Sequence, residues 1–336
     1  MDIKEVLFNL SNACGIGNIC DAASLAAEYL SEFCDVIVTE KTVIGKIDNG
    51  KPYTIMLDAH IDEVGMVVTD VDDNGFLTVA KCGGIDLRHL SAKSVVIHGK
   101  KDVNGVFIST PPHLKSDDEI PDSISDIKID SLLGKDAKNV INTGDFVTYA
   151  TRCFSLGRDS VCGKSLDNRA GVACLIETAR RVYGKDLPCN VVFLLSDAEE
   201  LGLRGARTAA FKINANEAVV IDVSFGDGPD ISPTQCGIMG GGAMIGVSPV
   251  LDRNITDKLN IIADENAIPY QNEIMGGTTS TNADVISVTR DGIKTGLISI
   301  PLRNMHTDTE AVNIRDVVSV CDILEKYILS GGIEND

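Results

Sequence analysis

The sequence predicts an α/β fold, a mostly parallel sheet interrupted by a small β-barrel-like insertion. Three observations carry this reading. Residues 190–196 (NVVFLLS), 53–57 (YTIML) and 218–221 (AVVI) are short apolar runs without polar alternation, the pattern of parallel strands covered on both faces. Apolar residues at 172, 175, 176, 179 and 182 repeat at the helical period. Between 66 and 155 the texture changes to closely spaced β-prone runs broken by Gly and Asp. The α/β pattern resumes from Gly163, so a discontinuous α/β domain (1–65 and 156–336) is expected to carry an inserted β domain (66–155).

Composition narrows the function. A chain of 336 residues with 44% hydrophobic residues can bury a large core, and its length suggests about two domains. A net charge of −19 argues against nucleic acid or an anionic membrane as partner, because phosphate binding needs a basic surface. The first eighteen residues are too polar for a signal peptide, and no apolar run approaches the ~20 residues of a membrane span, so a cytoplasmic protein is expected. The ten cysteines include no CxxC pair, and most lie in apolar runs, which favours buried, reduced thiols over a zinc ribbon or a disulfide scaffold.

In chain order, residues 2–33 pattern as two helices, with Asp21 as a cap for the second. Residues 35–39 and 43–46 are strand-like, and the run at 53–57 ends in Asp58, His60 and Asp62, spaced to share one face of a strand. A carboxylate on that face can orient the imidazole as a metal ligand, although a lone histidine at a strand end is equally ordinary. Within the insertion, strands are expected near 66–69, 76–79, 94–97, 105–108 and 146–149, and the acidic stretch 115–130 reads as an exposed loop.

Asp167 opens the helix that follows Gly163, where capping is the plain reading, and Gly171 would let that helix pack closely on the sheet. The strand 190–196 runs into Glu199 and Glu200; this is an acidic turn opening a helix, or a pair in which one glutamate binds a cation and its neighbour faces the water. Asp222 ends the strand after it. The glycines at 237–242 lack a phosphate loop's context and read as close backbone approach. A helix at 255–267, a strand at 293–300 leading to His306, and a last helix capped by Asn313 with Asp316 three residues on complete the chain.

His60, Asp167, Glu200, Asp222 and His306 thus fall at or just after predicted strand ends. Together they offer two cations a shared carboxylate and, for each, one imidazole and one further carboxylate, a shell suited to catalytic zinc, cobalt or manganese. Two such ions about 3.5–4 Å apart can hold a hydroxide between them. Glu199 is then left over as a general base.

Five motifs in order, AHIDEVG (59–65), LDNRAG (166–171), EELGLRGA (199–206), IDV (221–223) and IPLRNMH (300–306), resemble the tetrahedral aminopeptidase family. These are dinuclear metallopeptidases also known as glutamyl aminopeptidase or cellulase M. The resemblance runs through nearly the whole chain and includes PPHL (111–114) in the insertion. It implies a three-layer α/β/α metallopeptidase domain and an inserted β domain used for dimerisation, six dimers forming a hollow tetrahedral dodecamer. It also implies two divalent ions per subunit, most simply zinc or cobalt, with His60 and Asp222 on one, Glu200 and His306 on the other, and Asp167 bridging. Glu199 would be the base, Asp62 would orient His60, and the Asp167–Asn168 peptide would be cis. The substrates would be short peptides. The chain departs from the family pattern at Ala198 (usually Gln), Asn282 (usually Asp) and Asn304 (usually Tyr), positions expected near the pocket. A deacylase or other amidohydrolase on the same centre is the main alternative. A glycoside hydrolase fits less well, because adjacent Glu199 and Glu200 cannot flank one bond at the roughly 5–9.5 Å that such enzymes use.

Overall fold

The computed structural model describes residues 2–109, 123–229 and 231–333. Helices α1 (Ile3–Asn12) and α2 (Asp21–Ser31) lead into strands β1 (Asp35–Thr39), β2 (Thr42–Ile47) and β3 (Thr54–His60). Asp2 caps α1 by accepting from the Lys4 amide, whereas α2 starts after Cys20, so Asp21 is its first residue and not its cap.

The insertion closes on itself. Strands β4 (Gly65–Val71), β5 (Phe76–Cys82), β6 (Ser94–His98), β7 (Asp102–Phe107), β8 (Ile129–Asp130), the short helix α3 (Ala137–Val140) and β9 (Phe146–Tyr149) follow one another. The strands form a closed barrel in the order β4-β5-β8-β7-β6-β9. Alternate residues such as Val68, Leu77, Val79, Val95, Ile97 and Val147 point inward and fill it. The stretch 115–130 is therefore not wholly loop: its described end, residues 123–130, holds a 3₁₀ turn and β8, which closes the barrel by pairing with both β5 and β7. Its remainder, like PPHL at 111–114, lies outside the described residues.

The chain then returns through β10 (Phe154–Leu156), β11 (Ser160–Gly163), α4 (Leu166–Val182), β12 (Asn190–Ser196), α5 (Arg204–Ile213) and β13 (Glu217–Phe225). It ends in β14 (Ala243–Val247), α6 (Arg253–Glu265), β15 (Tyr270–Ile274), α7 (Ala283–Ile286), β16 (Lys294–Arg303), β17 (Glu310–Asn313) and α8 (Ile314–Ser330). The large sheet has 11 strands, most of them on the path β1-β2-β12-β3-β13-β16-β17-β11-β10, with β14 and β15 branching from β16. Its centre, β12-β3-β13-β16, is parallel throughout, which explains why these strands are apolar on both faces. Residues of α1, α2, α4, α6 and α8 pack on one face and those of α5 and α7 on the other, giving three layers. Strands β10 and β11 already belong to this sheet, ahead of Gly163. Among the described residues no helix is long and apolar enough to cross a membrane.

One carboxylate read as part of a local cap acts elsewhere. Asn313 does cap α8, but Asp316 reaches across to the glycine loop and accepts from the Gly240 and Gly242 amides at 2.7 and 2.8 Å. That loop passes so close to Pro269 that a Cβ on Gly242 would lie 2.0 Å from the Pro269 carbonyl oxygen, which confirms close backbone approach. At Gly171 the near neighbour is the Asn168 amide, which itself donates to the Ile221 carbonyl of β13.

Candidate metal centre

Every predicted ligand lies at the carboxyl end of the sheet, on β3, β12, β13 or β16 or in the turns that leave them, except Asp167, which enters α4. Parallel pairing sets the spacing: His60 is in register with Ser196 at the end of β12, while Asp222 on the neighbouring strand β13 shares the face of Asp58 and His60. Beyond Ser196 the chain turns through Ala198, whose φ is +59°, into Glu199 and Glu200. His306 sits on the hairpin between β16 and β17 at φ +61°. The Asp167–Asn168 peptide is cis.

The side chains gather as two groups that share one residue. His60 Nε2 lies 3.0 Å from Asp167 Oδ1 and 3.8 Å from Asp222 Oδ1. His306 Nε2 lies 3.3 Å from Asp167 Oδ2 and 3.2 Å from Glu200 Oε1. The two oxygens of Asp167 therefore face different histidines. In the groups His60-Asp167-Asp222 and Asp167-Glu200-His306, ligand-capable atoms all lie within 4.8 Å of one another, and His60, Glu199 and Glu200 form a third such group. Carboxylates crowded round two imidazoles, with no lysine or arginine in these groups among the described residues, are a donor set that could hold divalent metal.

The charges perturb one another strongly. Burial opposes protonation of His60, but its contacts with Asp167 and Asp62 outweigh this and hold the ring well above the ordinary histidine range. His306 behaves alike: against its burial, Asp167 and Glu200 push it up to about 11. Asp167 is held below the usual carboxylate range, its burial being overcome by His306 and His60. Burial, together with the neighbouring Asp167 and Glu199, raises Asp222 well above that range. Glu199 is pushed up to about 7, first by burial and then by Glu200, Asp167 and Asp62, with His60 opposing. A carboxyl group there can take up and release a proton near neutral pH.

Asp62 does more than face His60. Its Oδ1 lies 3.4 Å from His60 Nδ1, a charge contact without hydrogen-bond alignment, since that nitrogen has no hydrogen-bond partner. The same carboxylate accepts from the Glu199 amide at 2.9 Å and the Glu200 amide at 3.2 Å, which fixes the backbone of the glutamate pair.

Of the supporting residues, Glu310, Gly83 and Gly84 escaped the sequence reading, whereas Asp58, Asn282 and Asn304 were noted in it. Glu310 is buried and contacts the backbone of both Asp167 and His306. Asp58 lies beneath His60, and Asn282 donates to it and to Ser196 Oγ, both at 2.8 Å; Asn282 is thus buried under the site and does not line an open pocket. Asn304 is exposed and ties its own hairpin by donating to the Thr309 carbonyl. Gly83 and Gly84, after β5, bring the barrel onto the site: a Cβ on Gly84 would stand 2.8 Å from His306 Nδ1. The adjacent glycines at 83 and 84 were the available signal. A cavity of about 640 Å³, lined by Asp227, Ile231, Ile238, Gln271 and Arg303 among others, adjoins the ends of β13 and β16 without including a candidate ligand.

The family model described as M42 glutamyl aminopeptidase matches residues 42–323. A putative aminopeptidase of Acetivibrio thermocellus is 31% identical over 97% of this chain and 98% of its own. The lysyl aminopeptidase of Pyrococcus furiosus is 30% identical over 87% of this chain and 86% of its own. Among solved structures, the TET1 peptidase of Pyrococcus horikoshii, described as able to assemble into a tetrahedron or a large octahedral shell, has a TM-score of 0.85 at 27% identity, covering 98% of this chain and 99% of that one.

Proposed function

The chain belongs to the M42 glutamyl aminopeptidase family and is a metal-dependent aminopeptidase, and we propose that it releases N-terminal residues from short peptides at a dinuclear centre. In this reading His60 and Asp222 hold one divalent cation, Glu200 and His306 the other, and Asp167 is shared, with zinc or cobalt as the ions. The division of the Asp167 oxygens between the two histidines carries the reading. When bound, the cations supply Lewis acidity toward the scissile carbonyl and lower the pKa of water. Glu199 takes the proton from the attacking water and passes it to the leaving amine. Asp62 fixes the backbone of Glu199 and Glu200 by accepting from both amides, and the cavity lined by Ile231, Ile238 and Gln271 beside the ends of β13 and β16 receives part of the peptide.

A chelated sample should lose hydrolysis of aminoacyl p-nitroanilides and regain it with zinc or cobalt, while N-acetylated and carbohydrate substrates stay intact. Activity that survives chelation rejects the dinuclear mechanism. Cleavage of blocked substrates alone points to the deacylase reading. A glycosidase is disfavoured by geometry, because Glu200 is turned to His306 and both imidazoles would have no role.

Six dimers in a hollow tetrahedral particle are the proposed assembly, supported by the likeness to the TET1 peptidase, which can assemble into a tetrahedron. The closed barrel leaves no open edge of its own, so edge covering cannot be its reason for pairing. The large sheet does have open edges, β1 with exposed Ile37 and Val38 and β10 with exposed Phe154 and Leu156. A chamber would admit peptides and exclude folded proteins, which suits a peptidase in the cytoplasm; that location is part of the proposal and agrees with Cys153, Cys162, Cys174 and Cys321 being buried thiols outside any disulfide. Light scattering over a range of concentrations should show dimers in equilibrium with a roughly twelvefold particle. A stable, fully active monomer would refute the assembly.

A further inference from the structure

Glu310 opens β17, opposite Gly163 of β11, and Ala311 beside it pairs with Arg303 of β16. Its position is therefore set by strands on both sides. The carboxylate is 1% exposed, and its two oxygens are used separately: Oε2 accepts from the Asp167 amide at 3.0 Å and Oε1 from the His306 amide at 2.7 Å. These amides belong to two of the residues assigned to the second cation, one of them the shared bridge. They come from chain segments more than a hundred residues apart, and His306 lies in the left-handed region that a non-glycine residue enters only when its surroundings hold it there. Among the described residues its hydrogen bonds come from these two backbone amides and not from a lysine or arginine, and it is buried beside the Asp167 carboxylate. Such a placement is costly unless both oxygens are needed and cations lie close by.

We infer that Glu310 is a positioning residue that sets the separation of Asp167 and His306 and so selects for the second cation, the one shared by Asp167, Glu200 and His306. This rests on the ligand assignment proposed above. Asp62 has the corresponding place on the other flank, with its two oxygens on the Glu199 and Glu200 amides. Glutamine at 310 can accept from only one of the two amides, because its –NH₂ end would face a donor; alanine accepts from neither.

The test measures zinc stoichiometry and stepwise zinc affinity, by competition with a chromophoric chelator, for the parent, Glu310→Gln and Glu310→Ala. The binding step of this site, identified as the one that Glu200→Gln weakens, should lose roughly 10–100-fold in affinity, less in Glu310→Gln than in Glu310→Ala, while the other step stays near the parent value. The same comparison in a Glu200→Gln background, where the second site is already weakened, should show little further loss. Both variants binding two ions with parent affinity, or both steps weakening equally, overturns the inference. Should Glu310→Ala fail to fold, the near-isosteric Glu310→Gln decides alone. If Glu200→Gln and His306→Ala themselves keep two ions, the ligand assignment has failed; if they lose one while the Glu310 variants keep both, only the role of Glu310 has failed.

Discussion

Glu199→Gln is expected to keep its metal and lose about 10²–10⁴-fold in kcat, the usual contribution of a positioned general base. The amide preserves shape and the backbone contact to Asp62, because that contact uses the Glu199 N–H and not its side chain. It cannot accept a proton. Glu200→Gln is the informative partner, since its Oε1 faces His306 Nε2 at 3.2 Å and replacing the carboxylate removes a charged donor from the second cation. That variant should lose metal first and activity as a result, with partial recovery at high zinc. Metal content per protomer, measured beside kcat, separates the two. Equal metal loss in both variants would contradict the assigned roles.

Much of this centre could be read from residues alone, because strands buried on both faces announce themselves. The NVVFLLS run became β12 over the same residues, and His60 and the glutamate pair lie at or just past strand ends, whereas Asp222, expected to end its strand, lies within β13, which runs on to Phe225. Elements without that signature were missed. β15 (YQNEI) branches off the main path with Ile274 exposed, and β8 is only two residues long, held by partners on both sides and not by its own pattern. Strand propensity is mostly packing context, which such segments do not carry in their own sequence.

Carboxylates were misread for a related reason. Asp316 sits where a capping box would place it, yet its acceptors serve Gly240 and Gly242 from a distant loop. Glu310 in a short apolar strand gave no local reason to be charged at all. Local spacing tells which backbone amides are near in sequence; it does not tell which orphan amides a fold brings from far away. Asn282 shows the same limit, since its two donors are taken by Asp58 and Ser196, both far from it in sequence.

Asp167→Asn should be the most damaging single substitution in the centre. Every other proposed ligand serves one cation, whereas Asp167 presents Oδ1 to His60 at 3.0 Å and Oδ2 to His306 at 3.3 Å. An asparagine keeps one acceptor oxygen and turns an –NH₂ toward the other site, where its donor hydrogens meet a cation. Whichever way the amide turns, one ion loses an anionic ligand and the other faces a weaker, neutral one. Cationic stabilisation of the reacting carbonyl is worth several kcal/mol, and each 1.36 kcal/mol is tenfold, so a loss of roughly 10³-fold or more in kcat/KM is expected. Asp222→Asn, which touches only the His60 side, should retain one tightly held ion. Folding need not suffer in Asp167→Asn, since the Asp167 amide still donates to Glu310 and the helix beyond is buried among apolar neighbours. Zinc per protomer after dialysis against metal-free buffer, with circular dichroism as the fold control, decides the matter. Two ions retained with near-parent kcat/KM would remove Asp167 from the bridge.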